Sequence, residues 1–183
     1  MTKRAIEAEL ISGEDLYRRV VLEKLLHARE SVLISTANVK AMMLELNGVF
    51  RPVADAFSTL AKRGVSVRVL HAELPSRPFR EAFDRHQELV QGAMTLKLCP
   101  RVHFKAVLVD GAWLYLGSAN LTGAGLGAKG EQRRNFEAGI WSESPELVAR
   151  LARFFASIWD GALCEGCGRQ ANCPEPLEEP DFG

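Results

Sequence analysis

The sequence predicts an α/β fold in which helices pack over a single sheet. Two helix–strand units follow one another at residues 14–39 and 51–70, and a weaker third unit spans residues 79–98. A broad apolar stripe after residue 144 predicts a further long helix. Because successive helix–strand units pack their helices over a common sheet, we expect one layered domain.

The first unit begins with a helix at residues 14–29 and continues into the strand SVLISTANV. Apolar side chains recur in this helix at helical spacing, namely Tyr17, Val21, Leu25 and Ala28. The second unit has a helix at residues 51–63, ended by Gly64, and the alternating strand VSVRVL. Residues 40–50 show no pattern that assigns them to a helix or a strand.

The remaining elements follow in order along the chain. A helix from Phe79 to Gln91 precedes the strand MTLKL, a hairpin spans RVHFKAVLVDGAWLYLG, and NFEAGIW is a further strand. Ser144 is a good N-cap and Pro145 suits the first turn of the last helix. Its apolar stripe should complete the core: Leu147, Val148, Leu151, Phe154, Phe155, Ile158 and Trp159.

Composition divides the chain into a domain at residues 1–160 and a tail at residues 161–183. The tail is rich in cysteine, glycine, proline and glutamate, so a hydrophobic core does not order it. The chain has no net charge, but residues 165–183 carry −4 and the remainder +4. The first residues contain no apolar leader and no long apolar run follows, so we expect a cytoplasmic protein without a transmembrane segment.

The hairpin concentrates polar side chains at one place. His103 and Lys105 share a face of the first strand, Asp110 ends that strand, and the second strand brings Ser118 and Asn120 back beside them. An imidazole, an ammonium and neutral donors suit attack on a phosphate and binding of its oxygens. The set lacks the paired carboxylates of a magnesium site, so we expect catalysis without a metal ion.

This pattern resembles the HxK(x)4D(x)6GSxN motif of the phospholipase D superfamily. All six positions match, at His103, Lys105, Asp110, Gly117, Ser118 and Asn120. RRNFEAGIW is similar to the downstream segment that supplies the family's additional acidic residue, here Glu137. The resemblance covers roughly residues 5–160. Within the family, this short chain with one motif is most similar to the small bacterial endonuclease-type members. It implies an α-β-α sandwich, with one mixed sheet and helices on both faces.

The resemblance also implies a catalytic role for each motif residue. His103 would be the nucleophile that forms a phosphohistidine intermediate, which water then hydrolyses. Lys105 and Asn120 would bind the non-bridging phosphate oxygens, and Ser118 would help to fix that pocket. Glu137 would hydrogen-bond an imidazole and hold its tautomer.

Two further expectations concern Asp110 and the number of histidines. Asp110 should hold the backbone of the motif, because a strand end suits an Asx-type hydrogen bond. The family uses two motif histidines, one for attack and one to protonate the leaving group, whereas this chain has one motif. His27, His71 and His86 are not followed by a lysine two residues later. We therefore expect a homodimer that pairs two copies of His103 in a shared active site.

A glycine-rich loop follows the motif at residues 121–135 and contains Lys129, Arg133 and Arg134. These three basic side chains are candidates for contacts with a phosphate backbone, and the alternative is an ordinary solvated loop. The tail contains Cys164-x2-Cys167-x5-Cys173, which has the spacing of a metal site but only three ligands. This pattern resembles the cysteine tail of some iron–sulfur nucleases of CRISPR adaptation.

The fourth ligand of such a site would be Cys99 or a histidine. The four cysteines therefore either hold a structural zinc ion or iron–sulfur cluster, or remain thiols. For function, the sequence favours a phosphodiesterase acting on nucleic acid, a nuclease. The alternatives are a phospholipase D or phosphatidyl transferase acting on phospholipid, and a DNA- or partner-binding subunit of a restriction or defence assembly.

Overall fold

A computed structural model of the chain describes residues 5–46, 48–170 and 173. Seven strands form one mixed sheet in the order β1-β9-β8-β7-β2-β5-β6, and β3 and β4 form a separate hairpin. Strands β2, β5 and β6 are parallel, whereas the pairs from β2 through β7, β8 and β9 to β1 are antiparallel. The strands are β1 (Glu9–Ser12), β2 (Ser31–Thr36), β3 (Met43–Leu46), β4 (Val49–Pro52), β5 (Ser66–His71), β6 (Met94–Leu98), β7 (Lys105–Val109), β8 (Trp113–Gly117) and β9 (Ala138–Ser142).

The helices cover both faces of this sheet. The α-helices are α1 (Val53–Lys62), α2 (Arg77–Phe83) and α3 (Pro145–Trp159). Shorter helical segments have π-type hydrogen bonds at Leu16–Lys24 and Leu89–Ala93, and 3₁₀-type bonds at Leu25–His27 and Glu131–Arg133.

Alternation along the strands separates two apolar layers. Val107 and Val109 of β7 pack in the larger layer with Phe57 of α1 and with the first helical segment. Ala106 and Leu108 point to the opposite face, where they pack against α3. The mixed sheet with helices on both faces confirms the predicted α/β sandwich.

Several predicted elements differ in extent from the structure. The single helix expected from Phe79 to Gln91 is wrong, because α2 ends at Phe83 and a new turn begins at His86. His86 Nε2 lies 3.0 Å from Asp55 Oδ1, which ties this break to α1. The first strand ends at Thr36 rather than at residue 39, since the Thr36 hydroxyl bonds the backbone beyond the strand.

The last helix differs from the prediction at its N-cap and in one residue of its buried face. Ser144 occupies the N-cap position of α3, but its side chain makes no capping hydrogen bond. Its backbone N–H instead donates to Ser142 Oγ at 3.0 Å. The apolar stripe predicts Phe154 in the core, whereas Phe154 is 47% exposed and its neighbour Phe155 is buried.

In the part of the chain that the structure describes, no helix is both long and apolar enough to cross a membrane.

Candidate active site

The motif residues other than Asp110 gather at one end of the sheet, because antiparallel pairing brings strand ends together there. Lys105 begins β7 and is the register partner of Gly117, which ends β8. Gly117 is in turn the partner of Gly139, near the start of β9. Strand β2 ends with Thr36 at this same end of the sheet. Ser118 and Asn120 therefore emerge beside Lys105, where the sequence predicted them.

His103 precedes the strand on which the sequence placed it, since β7 begins at Lys105. The His103 side chain is exposed, and its ring makes no hydrogen bond with any described residue. Lys105 is buried, with 8% of its surface exposed, and its Nζ donates to the His103 main-chain oxygen at 2.6 Å. One lysine therefore fixes the backbone at His103 and leaves the imidazole open to a substrate.

Asn120 is oriented by the end of β2. Its Oδ1 accepts hydrogen bonds from the backbone N–H of Ala37 at 3.0 Å and lies 3.1 Å from Thr36 Oγ1. The Thr36 hydroxyl also accepts from the N–H of Leu121 at 3.0 Å. Because backbone donors occupy Oδ1, the amide orientation is determined and Nδ2 remains as the donor for a ligand. Thr36 is a positioning residue that the motif does not contain.

Ser118 and Glu137 are in direct contact. Ser118 Oγ donates to Glu137 Oε2 and accepts from the backbone N–H of Ala138 at 3.1 Å. Asn135 Nδ2 donates to the other carboxylate oxygen of Glu137 at 3.1 Å. The partners of Glu137 among the described residues are thus a hydroxyl and an amide rather than the expected imidazole.

Two facing glycines make room for the turn that leads to Ser118. A Cβ built on Gly117 would lie 2.6 Å from Ala138 O and 2.7 Å from Gly139 Cα. The ring of Tyr115 occupies the space above this pair, and the Tyr115 hydroxyl accepts from the N–H of Ala119 at 3.2 Å. Burial raises the pKa of Tyr115, so the neutral hydroxyl remains in place. The glycine of the motif is therefore required by close backbone approach.

We expect Gly117→Ala to lower the free energy of unfolding by at least about 2 kcal/mol, because two backbone atoms and the Tyr115 hydroxyl would have to move. Chemical denaturation measures this change. Gly130→Ala is the matched control, since a Cβ there meets no atom within 4 Å. Equal stability of the two variants would contradict the proposed close approach.

Asp110 lies at the opposite end of β7 from Lys105, roughly 16 Å away at about 3.3 Å per residue. Its carboxylate accepts from the backbone N–H groups of Arg29 at 3.0 Å, Glu30 at 2.8 Å and Ser31 at 3.0 Å. Asp110 has φ 52° and begins a tight turn with Gly111, at φ 60°. The structure therefore places Asp110 away from Lys105 and Asn120, with which the sequence grouped it. The carboxylate does hold backbone, as expected, but the backbone of residues 29–31 rather than that of the motif.

The environment of Asp110 makes it a pH-dependent support of the fold. Partial burial raises its pKa, but the backbone N–H bonds from Ser31, Glu30 and Arg29 outweigh burial and set the pKa below its usual value. Because the folded pKa is lower than the unfolded one, the carboxylate stabilises the protein above the unfolded pKa. This stabilisation is lost as the pH falls through the folded pKa.

We expect Asp110→Asn to lower the free energy of unfolding by about 1–2 kcal/mol at pH 7, because charge-assisted bonds to three N–H groups are weakened. The difference from the wild type should begin to shrink as the pH falls below about 4, the unfolded pKa, and should vanish once the pH lies below the lowered folded pKa. Denaturation curves over this pH range measure it. Asp84→Asn, at an exposed aspartate, should change little, and a pH-independent deficit for Asp110→Asn would contradict the assignment.

A cleft of about 850 Å³ adjoins two of the motif-region residues, Ser118 and Glu137. Ser118 and Glu137 line it on one side, and Lys129 and Arg134 line it from the glycine-rich loop. Arg134 lies over the ring of Tyr17 at 5.6 Å, and its buried Nη1 has no hydrogen-bond partner among the described residues. Arg133, the third predicted contact, is exposed and lies outside this lining.

The cleft also contains a residue that is not among the predicted site residues. Phe136 is fully exposed, immediately before Glu137, and lines the same cleft. Its ring therefore provides an apolar surface within an otherwise polar and charged part of the cleft lining. Its position between Asn135 and Glu137, in a segment of polar and charged residues, was the available signal.

The four cysteines converge on another pocket, which Val102 and Phe104, the neighbours of His103 in the chain, also line. Cys99, Cys164, Cys167 and Cys173 all line it. As the side chains stand, no three potential metal ligands within the described ranges are close enough to hold an ion.

Comparison with known proteins gives one family match. The family described as "Cardiolipin synthase, PLD-like domain" matches residues 21–159. The search of curated proteins finds no significant match to this chain.

Solved structures provide the comparison of folds. Nuc from Salmonella typhimurium, a phospholipase D family member, shares 20% identity at a TM-score of 0.59, over 84% of this chain and 95% of that one. NucT from Helicobacter pylori shares 16% identity at a TM-score of 0.55, over 82% of this chain and 94% of that one. The archaeal chromatin protein TrmBL2 shares 16% identity at a TM-score of 0.56, over 87% of this chain. The chain spans about half (54%) of TrmBL2. At these identities the likeness shows a common fold.

Proposed function

Because the chain belongs to the phospholipase D superfamily through a PLD-like domain, we propose that it is a nuclease that hydrolyses phosphodiester bonds through a phosphohistidine intermediate. The observation that supports this proposal most strongly is the open imidazole of His103 beside Lys105 and the oriented amide of Asn120. The catalytic steps use these side chains and no metal ion.

In the first step, an imidazole nitrogen of His103 attacks phosphorus while the bond to the leaving oxygen breaks. A second imidazole donates a proton to that oxygen, so the leaving group departs as an alcohol. In the second step, the same imidazole accepts a proton from water, whose oxygen attacks phosphorus and breaks the P–N bond. The products are a phosphomonoester and free His103.

Two donors stabilise the charge that develops on the non-bridging oxygens. Lys105 uses one N–H for the His103 carbonyl and retains two for the phosphate. Asn120 presents Nδ2, because its Oδ1 is held by the backbone of Ala37. Such preorganised donors gain strength in a partly buried site, and Lys105 is almost fully buried.

The second imidazole comes, in this proposal, from a second copy of the chain. Each chain has one motif histidine, and His71 is fully buried while His86 is held by Asp55. A homodimer with twofold symmetry brings two copies of His103 to one site. Glu137, already fixed by Ser118 and Asn135, retains carboxylate lone pairs for an imidazole at that site.

The lining of the cleft favours nucleic acid as the substrate. Lys129 and Arg134 supply positive charge, the unpartnered Nη1 of Arg134 suits a phosphate oxygen, and exposed Phe136 offers a surface for base stacking. A nucleic-acid substrate also fits action in the cytoplasm.

Two observations favour other functions. The description of the matching family names cardiolipin synthase, an enzyme that acts on phospholipid. This supports phosphatidyl transfer or phospholipid hydrolysis as the second candidate function. TrmBL2 is a chromatin protein with its own mode of DNA binding, and its similar fold supports a non-catalytic DNA- or partner-binding role, as in a restriction or defence assembly. The first alternative predicts that phospholipid is the substrate, and the second predicts binding without any cleavage.

Purified protein in EDTA, incubated with single-stranded DNA, double-stranded DNA, RNA and phospholipid vesicles, tests the proposal. We expect cleavage of at least one nucleic acid and none of the lipid. Release of a phospholipid headgroup without nucleic-acid cleavage supports the lipid candidate instead. Binding of DNA with no cleavage of any substrate supports the binding role and contradicts the proposed nuclease.

A further inference from the structure

Four cysteines from two distant parts of the sequence meet at one pocket of about 170 Å³. Cys99 comes from the segment after β6, and Cys164, Cys167 and Cys173 come from the segment after α3. These are all the cysteines of the chain. Convergence of every thiol on one pocket has no explanation in the proposed phosphodiesterase chemistry, which uses no thiol.

The backbone around the three later cysteines forms tight turns. The N–H of Cys167 donates to Cys164 O at 3.1 Å, and the N–H of Cys173 donates to Gln170 O at 3.1 Å. Gly166, between the first two cysteines, has φ 68° and so provides a left-handed position in the first turn. A two-residue gap within such a turn is the spacing by which proteins present two thiolates to one metal.

Cys99 holds the other side of the pocket and is fixed by the sheet. Its N–H donates to His71 O at 2.8 Å, and its carbonyl accepts from Val102 N at 2.9 Å. The segment then runs directly into His103. A bond between Cys99 and the tail cysteines would therefore restrain the backbone that presents the proposed nucleophile.

Charge and apolar contacts complete the surroundings. Arg101 Nη1 lies 3.4 Å from Cys167 Sγ, and Arg169 Nη1 donates to Pro100 O at 2.7 Å. Four thiolates around a divalent ion carry a net charge of about −2, which two arginines offset, and N–H···S bonds are common around such centres. Phe104 and Phe154, in ring contact at 5.1 Å, shield one wall.

We propose that Cys99, Cys164, Cys167 and Cys173 bind a metal centre through four thiolates, either a zinc ion or an iron–sulfur cluster. All four cysteines line the pocket, and a bound metal would hold their sulfur atoms closer together than the structure places them. The centre attaches the residues after α3 to the domain, where a hydrophobic core does not hold them. It also fixes the segment from Cys99 to His103.

Metal analysis of the full chain, purified without oxygen and without chelator, tests this proposal. We expect about one zinc per chain, or about four iron with matching sulfide and visible absorption. These two results distinguish the two kinds of centre. Less than about a tenth of an equivalent of either metal would overturn the proposal, and this wild-type result is decisive whether or not a variant folds.

Serine variants locate the ligands. Cys99→Ser and Cys167→Ser should each reduce the metal content at least about tenfold and lower the melting temperature by several degrees. Glu165→Gln, within the same turn but exposed, is the matched control and should retain the metal. Full metal content in Cys99→Ser would contradict the four-cysteine centre. Both readouts are independent of cleavage, so failure here is distinguishable from failure of the proposed nuclease.

Discussion

Replacing His103 by asparagine should lower phosphodiester cleavage at least about 1,000-fold, because the substitution removes both the nucleophile and the proton donor of a shared site. Stability should change little, since the His103 side chain is exposed and makes no hydrogen bond with a described residue. Initial rates on the nucleic acid that the wild type cleaves, measured in EDTA, give the ratio. Substrate affinity should change far less than the rate.

His27→Asn is the matched control for this variant. His27 is also exposed, in the 3₁₀ turn before β2, and no motif residue neighbours it in sequence. We expect its activity to equal that of the wild type. If His103→Asn retained more than about a tenth of the wild-type rate, a histidine nucleophile would be excluded.

A heterodimer of one wild-type chain and one His103→Asn chain should be at least about 100-fold less active than the wild-type dimer. In a shared site each His103 performs one of two roles, so loss of either copy disables the whole site. Two affinity tags allow the mixed dimer to be purified, and its cleavage rate can be compared with that of the wild-type dimer carrying the same tags.

The control for the mixed dimer is a wild-type chain paired with a His27→Asn chain, which should keep full activity. About half of the wild-type activity in the His103→Asn heterodimer would show independent sites and contradict the shared site. Sedimentation of the wild type as a fully active monomer would contradict it as well.

The proximity of Lys105 and Ser118 could be predicted from the sequence, because the gaps of the motif match the length of a β-hairpin. Lys105 begins a five-residue strand that ends before Asp110, and a second five-residue strand ends at Gly117. The gaps of the motif therefore return Ser118 to the side of Lys105 while sending Asp110 to the far turn. The spacing therefore predicts that Asp110 lies at the turn, but it does not predict that the Asp110 carboxylate binds the backbone of residues 29–31.

Contacts that are distant in sequence were not predictable. The Thr36 hydroxyl contacts Asn120 Oδ1, although the two residues are 84 positions apart in the sequence. No sequence pattern distinguishes Thr36 from an ordinary threonine in a strand. Strand β1 was also missed. Its four residues pair with β9 through the backbone at the edge of the sheet, and Leu10 in it is 73% exposed. An edge strand that buries little apolar surface leaves only a weak period-two signal.

If His103 attacks phosphorus without a metal ion, a covalent intermediate forms on its imidazole, and mass spectrometry of the trapped protein detects it. Protein mixed briefly with its substrate in EDTA is quenched in denaturant at alkaline pH and digested with trypsin, which releases residues 102–105 as one peptide. We predict an acid-labile phosphoramidate adduct on His103 in this peptide, with the part of the substrate that remains esterified to phosphorus still attached, and no such adduct in His103→Asn. Cleavage that proceeds without any adduct, or only when a divalent cation is added, would contradict the proposed mechanism.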